Sequence, residues 1–196
     1  LHGEDRRQRQ MCIRDSPTID YLEQKDKLVE NVRDNLYAPI SLSILAKEYR
    51  VHFTYIGTGC IFEYDDEHVI PNPNPNPNKP NGQKILPVGF TESANPNFFG
   101  SSYSVVKGFT DRLEHLLESN TLNARIRMPI TADNSSRNFI TKITNYEKIC
   151  SIENSMTVLP ELLPILLDMA ENKVTGTVNL TNPGTISHNT ILQMYK

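Results

Sequence analysis

The chain has 196 residues, of which 38% are hydrophobic and 22% are charged, and this length fits one domain or slightly more. Its formal net charge of −3 gives no electrostatic reason to expect nucleic acid as a partner. The most apolar stretch, residues 158–170, is interrupted by Pro160, Glu161, Pro164 and Asp168, so no membrane-spanning segment is predicted.

The cysteines and histidines predict neither a disulfide framework nor a metal site. Cys12, Cys60 and Cys150 are odd in number and widely spaced, and the five histidines are scattered along the chain. No signal peptide is recognisable in the sequence. Together these observations favour the cytoplasm as the compartment.

We interpret residues 1–16 as a tail that takes no part in the fold. The segment mixes arginines with acidic residues and has no hydrophobic periodicity. Residues 10–16 also resemble a translated adapter used in preparing sequencing libraries, which indicates a non-native segment. A native disordered arm is the alternative.

A long helix is predicted from Lys27 to Tyr49, because apolar residues recur there at every fourth position. Pro39 lies inside this helix. Its ring clashes with the carbonyl four residues earlier, so we expect a bend near Asn35.

A short strand is predicted at residues 51–56, where β-branched and aromatic residues precede Gly57-Thr58-Gly59. Residues 66–89 then contain a Pro-Asn repeat, which supplies neither helix donors nor a packed face. We therefore expect an exposed loop insertion, with a lid over a site as the functional alternative.

Helices and strands continue to alternate in the rest of the chain. The predicted elements are a helix over 103–117, strands over 121–126 and 174–180, a helix over 159–171, and a last helix capped by Ser187 and ending at Tyr195. This rhythm predicts an α/β fold with parallel strands.

Tyr103 and Lys107 are four residues apart and lie on one face of a predicted helix. A nearby cation lowers the pKa of a phenol, which makes a tyrosine usable as an acid or a base. Thr58 ends the preceding strand, where its hydroxyl can share a carbonyl oxygen with Tyr103. These three residues are the candidate catalytic group.

Several ordered stretches carry a resemblance to known proteins. They are Gly57–Asp65, Phe90–Glu92, Pro96–Ser104, Arg125–Ile130, Arg137–Lys142, Asn154–Thr157 and Asn182–Asn189. The sequence resembles the extended short-chain dehydrogenase/reductase family, in the plant and giant-virus branch of epimerase/reductases that make UDP- or dTDP-rhamnose. This resemblance implies a Rossmann-like, doubly wound parallel sheet with a small C-terminal substrate-binding region.

The resemblance also implies residue roles. Tyr103 would protonate a C4 keto oxygen as hydride arrives from NADPH or NADH, Lys107 would hold the cofactor ribose and lower the pKa of Tyr103, and Thr58 would orient the carbonyl. Cys60 and Lys142 match the pair that exchanges protons at C3 and C5. The alternatives are a buried strand-end thiol for Cys60 and a solvated charge for Lys142.

Further binding residues follow from the same resemblance. Gly57, Gly59, Arg127 and Pro129, with Tyr103 and Lys107, are expected to contact the cofactor. Asn97, Arg137 and Asn138 are expected to contact the substrate. Arg125, Arg127 and Arg137 each suit a pyrophosphate, although one or two of the three are expected to form structural ion pairs instead.

The sequence contains no glycine-rich turn of the kind that holds a cofactor pyrophosphate at a helix N-terminus. In the family, this turn precedes the region that begins here near Thr18. We therefore expect an N-terminal truncation of roughly two βαβ units of about thirty residues each. The predicted organisation is an incomplete NAD(P)-binding domain at 17–127 and a mainly substrate-binding region at 128–196, with a returning strand near 174–180.

The resemblance thus implies a bifunctional 3,5-epimerase and NADPH-dependent 4-keto reductase acting on UDP- or dTDP-4-keto-6-deoxy-glucose. The chain by itself is expected to be inactive. A 4-keto reductase without the epimerase step and a non-catalytic, partner-binding subunit are the alternatives. The expected partner is the nucleotide-sugar substrate, with a homodimer through the sheet-covering helices as an open option.

Overall fold

A computed structural model describes residues 19–68, 88–149 and 152–195. The proposed tail at 1–16, most of the proposed loop insertion, Cys12 and Cys150 lie outside the described residues. None of the helices in the described ranges is long and apolar enough to cross a membrane.

The described elements alternate between helices and strands, as the sequence predicts. In chain order they are α1 (Ile19–Leu22), α2 (Leu28–Val32), a π-helical turn (Arg33–Tyr37), α3 (Ala38–Glu48), β1 (Phe53–Thr58), α4 (Ser102–His115), β2 (Thr121–Ile126), β3 (Pro129–Ile130), α5 (Phe139–Ile143), β4 (Thr157–Val158), α6 (Leu159–Glu171), β5 (Gly176–Asn179) and α7 (His188–Tyr195).

Strand β1 begins two residues later than predicted and extends to Thr58. Arg50 adopts a positive φ of 55°, and the Val51 amide donates to the Ala46 carbonyl at 2.8 Å, so residues 50 and 51 still close helix α3. Gly57 continues the strand and lies directly against the Asn123 side chain of β2. A Cβ atom at this position would stand 2.2 Å from the Asn123 amide oxygen, so glycine permits the close approach. The strand therefore extends beyond the predicted range of 51–56 and ends at Thr58, the position expected for the candidate catalytic threonine.

The main sheet is parallel, with strand order β1-β2-β5. Thr58 pairs with Ile126, and Arg125 pairs with Asn179, so the carboxyl ends of the three strands lie along one edge. Successive side chains of a strand point to opposite faces of the sheet. Helix α6 packs on one face of β2, and helix α4 packs on the other. The predicted α/β class with a parallel sheet is confirmed.

One face of β2 is apolar and packs on α6. Leu122 and Ala124 are buried in a cluster with Leu162, Leu166 and Leu180. Burying a leucine of this kind contributes roughly 1.5–3 kcal/mol relative to leaving it in water. This cluster is the main hydrophobic core beneath the sheet.

The opposite face of β2 is polar and packs on α4. The Arg125 guanidinium donates from Nε and Nη2 to the two carboxylate oxygens of Asp111, both at 2.7 Å, and Asn123 donates to the same carboxylate at 2.9 Å. Arg125 and Asp111 are both fully buried. A paired and fully hydrogen-bonded charge is the form in which ions are tolerated in a protein interior.

The bend expected at Pro39 takes the form of the π-helical turn, which spans residues 33–37. Pro39 has no N–H, so the Asn35 carbonyl loses its helical donor. The Thr110 hydroxyl of α4 donates to that carbonyl instead. The neighbouring helix thus supplies the hydrogen bond that the Asn35 carbonyl lacks, and this contact links the distorted turn before α3 to α4.

A smaller parallel pair, β3 with β4, extends the fold beyond the main sheet. Ile143, Met156 and Ile191 form a second buried cluster between this pair, α5 and α7. Ser187 caps α7 as predicted, since its hydroxyl accepts the Thr190 amide at 3.2 Å.

Glu114 of α4 provides a test of the buried polar face. Burial raises the pKa of its carboxyl to about 7, an effect that the Ser43 hydroxyl and the Lys107 cation reduce. The folded state therefore keeps a proton that the unfolded chain, with a pKa near 4.5, releases. Stability is lost as pH rises from 4.5 to 7 and stays lower above that range.

We predict that Glu114→Gln raises the free energy of unfolding by on the order of 1–3 kcal/mol at pH 8, because the amide cannot ionise. Urea unfolding from pH 4 to 8 measures this difference, which should grow with pH. Glu48→Gln, at an exposed position of α3, is the matched control for the loss of a charge. A difference that does not change with pH would contradict the prediction.

Candidate active site

A cleft of about 590 Å³ lies at the carboxyl edge of the main sheet. Gly59 follows β1, Arg127 follows β2 and Thr181 follows β5, and all three line it. In open parallel sheets, ligands bind in the crevice outside the carboxyl ends of the strands. The volume also lies in the range of small-molecule sites. This cleft is the candidate substrate site.

Tyr103 lies in the first turn of α4, next to the end of β1. Ser101 caps the helix by accepting the Ser104 amide, and the Ser104 hydroxyl donates to the Cys60 carbonyl at 2.8 Å. This contact fixes the start of α4 against the β1 loop. Thr58 is close enough to the Tyr103 phenol to act on its pKa, so the structure brings together these two predicted catalytic residues.

The pKa of Tyr103 is raised above its ordinary value, mainly because burial penalises the phenolate and also because Cys60 is near. The Thr58 hydroxyl and the Arg127 guanidinium act in the opposite direction. The expectation that Lys107 lowers this pKa is wrong for this structure. The cation that lowers it is Arg127, and burial outweighs its effect.

Lys107 is buried one turn further along α4 and points to β1. Its ammonium donates to the Tyr55 hydroxyl and, at 3.0 Å, to the Ile56 carbonyl. Burial lowers the pKa of Lys107 to about 8, although Asp111, Cys60 and Glu114 act to raise it. The ammonium is therefore anchored on the strand.

Cys60 is partly exposed and contacts Arg127. The guanidinium donates from Nη1 to the Cys60 sulfur at 2.8 Å and from Nη2 to the Asn154 side-chain oxygen at 3.0 Å. The Cys60 amide donates to the Thr58 hydroxyl at 3.1 Å, which holds the thiol beside Thr58. Thr58, Cys60, Tyr103 and Arg127 thus form one contiguous group.

Gly57 and Gly59, both predicted to bind the cofactor, pack closely against Asn123 of β2 and against Arg127, respectively. A Cβ atom on Gly57 would collide with Asn123, and one on Gly59 would stand 3.3 Å from the Arg127 side chain. Gly59 also lines the cleft. Their cofactor role stays a prediction.

The N-terminus of α4 is occupied by a carboxylate of the chain itself. Glu23 accepts the Ser102 amide at 3.0 Å and the Tyr103 amide at 2.9 Å. Although desolvation opposes it, these hydrogen bonds lower the pKa of Glu23. The helix end beside Tyr103 therefore does not offer its amides to a cofactor phosphate.

Arg125 is a structural residue. Its charge is matched by Asp111, and its remaining donors reach the carbonyls of Thr91 and Ala94 at 3.2 and 3.4 Å. This outcome agrees with the expectation that some of the three candidate arginines form structural ion pairs.

The predicted substrate residues Asn97 and Asn138 hold loops. The Asn97 amide bonds to the backbone of Glu63 in both directions at 2.9 Å. The Asn138 amide group donates to the carbonyls of Thr131 and Asp133 at 2.9 and 2.7 Å. These contacts use the polar groups that we assigned to substrate, and neither residue lines the cleft.

The other predicted residues lie beyond β2. Pro129 starts β3 and is exposed, Arg137 is exposed in the loop before α5, and Lys142 is in the last turn of α5. None of them is among the side chains that line the cleft. Their roles stay predictions.

The cleft also contains residues to which the sequence assigned no role. Phe62 and Phe90 stack with ring centroids 4.5 Å apart, and Asn154 and Asn182 lie opposite the strand ends. All four fall inside stretches that carry the family resemblance. Their location in those stretches could have identified them from the sequence.

The fold belongs to the Rossmann-like class of α/β proteins. The chain superposes with a TM-score of 0.63, at 15% identity, on dTDP-4-dehydrorhamnose reductase from Bacillus anthracis in complex with NADP, covering 91% of this chain and 59% of that one. No protein-family model matches the sequence.

Two more similar relatives are enzymes of rhamnose synthesis. The chain is 55% identical to the UDP-rhamnose synthase of Acanthamoeba polyphaga mimivirus, with a TM-score of 0.76 over 91% of this chain and 57% of that structure. It is 43% identical to a bifunctional dTDP-4-dehydrorhamnose 3,5-epimerase/dTDP-4-dehydrorhamnose reductase of Arabidopsis thaliana, over 92% of this chain and 54% of the relative. The chain thus spans little more than half the length of these relatives.

Lys107 provides a test of the site geometry. We predict that its side-chain NMR signal, in protein labelled with ¹³C-lysine, titrates with a midpoint near pH 8. Tyr55→Phe removes a hydrogen bond to the ammonium and should move the midpoint lower. Lys107→Met assigns the signal by its disappearance. A midpoint above pH 10 would contradict the buried placement.

Proposed function

We propose that the chain carries the catalytic part of a nucleotide-rhamnose synthase, with both 3,5-epimerase and 4-keto reductase activity. One observation carries the proposal: Thr58, Cys60 and Tyr103 meet at the carboxyl edge of a parallel sheet, beside a cleft of substrate size. The 55% identity to a UDP-rhamnose synthase supports UDP as the nucleotide.

The reductase step needs an acid, and Tyr103 suits that role. Its phenol is protonated at neutral pH, as an ordinary tyrosine is, and can donate to the C4 oxygen of a keto sugar. Thr58 shares that oxygen as a second hydrogen-bond donor. A bound nicotinamide cofactor, NADPH or NADH, would supply the hydride to C4.

The fit of this cofactor to the chain is partial. Thr58, Tyr103 and Lys107 are suitable groups for the nicotinamide and its ribose. The N-terminus of α4 is unsuitable for the phosphates, because Glu23 already accepts the amides there.

The epimerase step needs bases for protons next to the ketone. In this step the base takes the proton from C3 or C5, the electron pair moves to the C4 oxygen, and a proton returns on the opposite face of that carbon. Cys60 is suitable, because it is partly exposed and hydrogen-bonded to Arg127, a cleft residue. Lys142 is proposed as the partner on the strength of its matching motif.

The cleft suits a nucleotide sugar. Phe62 and Phe90 line the cleft, and they leave ring edges to a substrate because their faces pack on each other, on His68 and on Arg125. Arg127 supplies positive charge at the cleft for a diphosphate. The side-chain amides of Asn154 and Asn182 line the cleft but are hydrogen-bonded within the protein. These features support a nucleotide-sugar substrate.

The reductase is tested in the protein encoded by the complete reading frame that contains this chain. UDP-4-keto-6-deoxy-glucose and NADPH should yield UDP-rhamnose, detected by chromatography. We predict that Tyr103→Phe lowers kcat at least 100-fold, as expected for the loss of a general acid. Exposed Tyr49→Phe is the matched control. Full activity of the Tyr103 variant would refute the mechanism.

The epimerase is tested separately, by deuterium incorporation at C3 and C5 of the substrate in D₂O without cofactor. We predict that Cys60→Ala abolishes the exchange at one of the two carbons, whereas Tyr103→Phe retains it at both. No exchange beside normal reduction of the separately supplied 4-keto-rhamnose nucleotide would identify a reductase alone. Silence in both assays would favour a non-catalytic subunit.

A further inference from the structure

We infer that Arg127 is a positioning residue that holds the Cys60 sulfur as a thiolate at the edge of the cleft. The inference deepens the proposed function, because it rests on Cys60 acting there as an acid-base group. It differs from the role of cofactor contact that the sequence suggested for Arg127.

The first support is the contact geometry. Arg127 Nη1 lies 2.8 Å from the Cys60 sulfur, and Nη2 is fixed by Asn154 at 3.0 Å, so the guanidinium plane is held from both ends. A guanidinium N–H binds a charged sulfur more strongly than a neutral one. The contact therefore favours the thiolate, which is the basic form of cysteine.

The second support is the rigidity of the Arg127 backbone. Its amide donates to the Thr157 hydroxyl at 2.9 Å, and its carbonyl accepts the Thr157 amide at 2.8 Å. Thr157 is fully buried and donates its hydroxyl to the Leu180 carbonyl at 2.7 Å. Arg127 is thus anchored between β4 and the segment that follows β5.

The third support is a comparison with Arg125, two residues earlier on the same strand. Arg125 is neutralised by Asp111 at 2.7 Å. Within the ranges that the structure describes, no carboxylate forms an ion pair with Arg127. Its charge therefore remains available to Cys60. The other titratable groups that face Cys60 from α4 are Tyr103 and Lys107, and the Lys107 ammonium is hydrogen-bonded to Tyr55 and Ile56 of β1.

This arrangement has a direct consequence for the proposed proton exchange. When the thiolate takes a proton from carbon, it becomes a neutral thiol, and negative charge moves to the ketone oxygen. The Arg127 charge is then no longer balanced by sulfur.

The test measures the reactivity of Cys60 in this chain and needs no substrate or cofactor. In a Cys12→Ser, Cys150→Ser background, the rate of alkylation of Cys60 by iodoacetamide is followed from pH 5 to 10. The alkaline plateau reports accessibility, and the pH of half-maximal rate reports the charge environment. Arg127→Gln and Arg127→Lys are compared with Arg112→Gln, an exposed arginine of α4.

We expect Arg127→Gln to lower the alkylation rate at pH 7 about tenfold and to move the half-maximal pH upward by about one unit, as expected for losing an adjacent opposite charge. Arg127→Lys should recover part of the change, and Arg112→Gln should have no effect. An unchanged profile in Arg127→Gln, or an equal change in Arg112→Gln, would overturn the inference.

A second measurement covers the case in which Arg127→Gln does not fold, as judged by circular dichroism. The unsubstituted Arg127 protein should reach its half-maximal alkylation rate at a lower pH than glutathione measured in the same buffers. A value equal to or above that of glutathione would overturn the inference. Because turnover is not measured, a failed rhamnose assay would leave this result interpretable on its own.

Discussion

The buried pair of Asp111 and Arg125 sets the register between helix α4 and the main sheet. Moving two charges out of water is costly, and only a well-defined geometry offsets this cost. Arg125 forms two parallel hydrogen bonds of 2.7 Å with the Asp111 carboxylate, and Asn123 donates a third. A slide of α4 by one turn would leave both ions unpaired. Because Lys107 and Tyr103 lie one and two turns before Asp111, the same pair fixes their distance from Thr58.

The polar face of α4 also explains why buried side chains near the site have shifted pKa values. Lys107, Asp111 and Glu114 follow one another at helical spacing and are all buried against β1, β2 and α3. Burial disfavours each charged form, so the pKa of Lys107 falls and that of Glu114 rises. An apolar face would pack α4 as firmly, but it would carry no groups that titrate near neutral pH.

The sequence predicted the elements well, because helix and strand periods depend on local spacing. It identified the bend at Pro39 for the same reason, although the rescue by Thr110 is a tertiary contact that no local pattern contains. The site was predicted in part. Thr58, Tyr103 and Cys60 do meet, whereas Asn97 and Asn138 bind their own loops, since a motif shows that an amide is needed but not which partner it takes. Glu23 escaped notice because it caps a helix whose first residues lie 79 and 80 positions later.

The cation that tunes Tyr103 was assigned to Lys107 because both residues share one helix face. Helical spacing brings the two Cα atoms together, but it does not decide where a flexible ammonium ends. Tyr55 and Ile56 offer acceptors on β1, and Lys107 takes them. Arg127 follows another strand and contacts Cys60. It therefore acts on both Cys60 and Tyr103, the two groups that change protonation state in the proposed chemistry. A phenol that starts protonated is ready to donate, and the phenolate it leaves behind needs a cation nearby. In this structure the cation that acts on the Tyr103 phenol is Arg127, which follows β2 and does not lie on the face of α4.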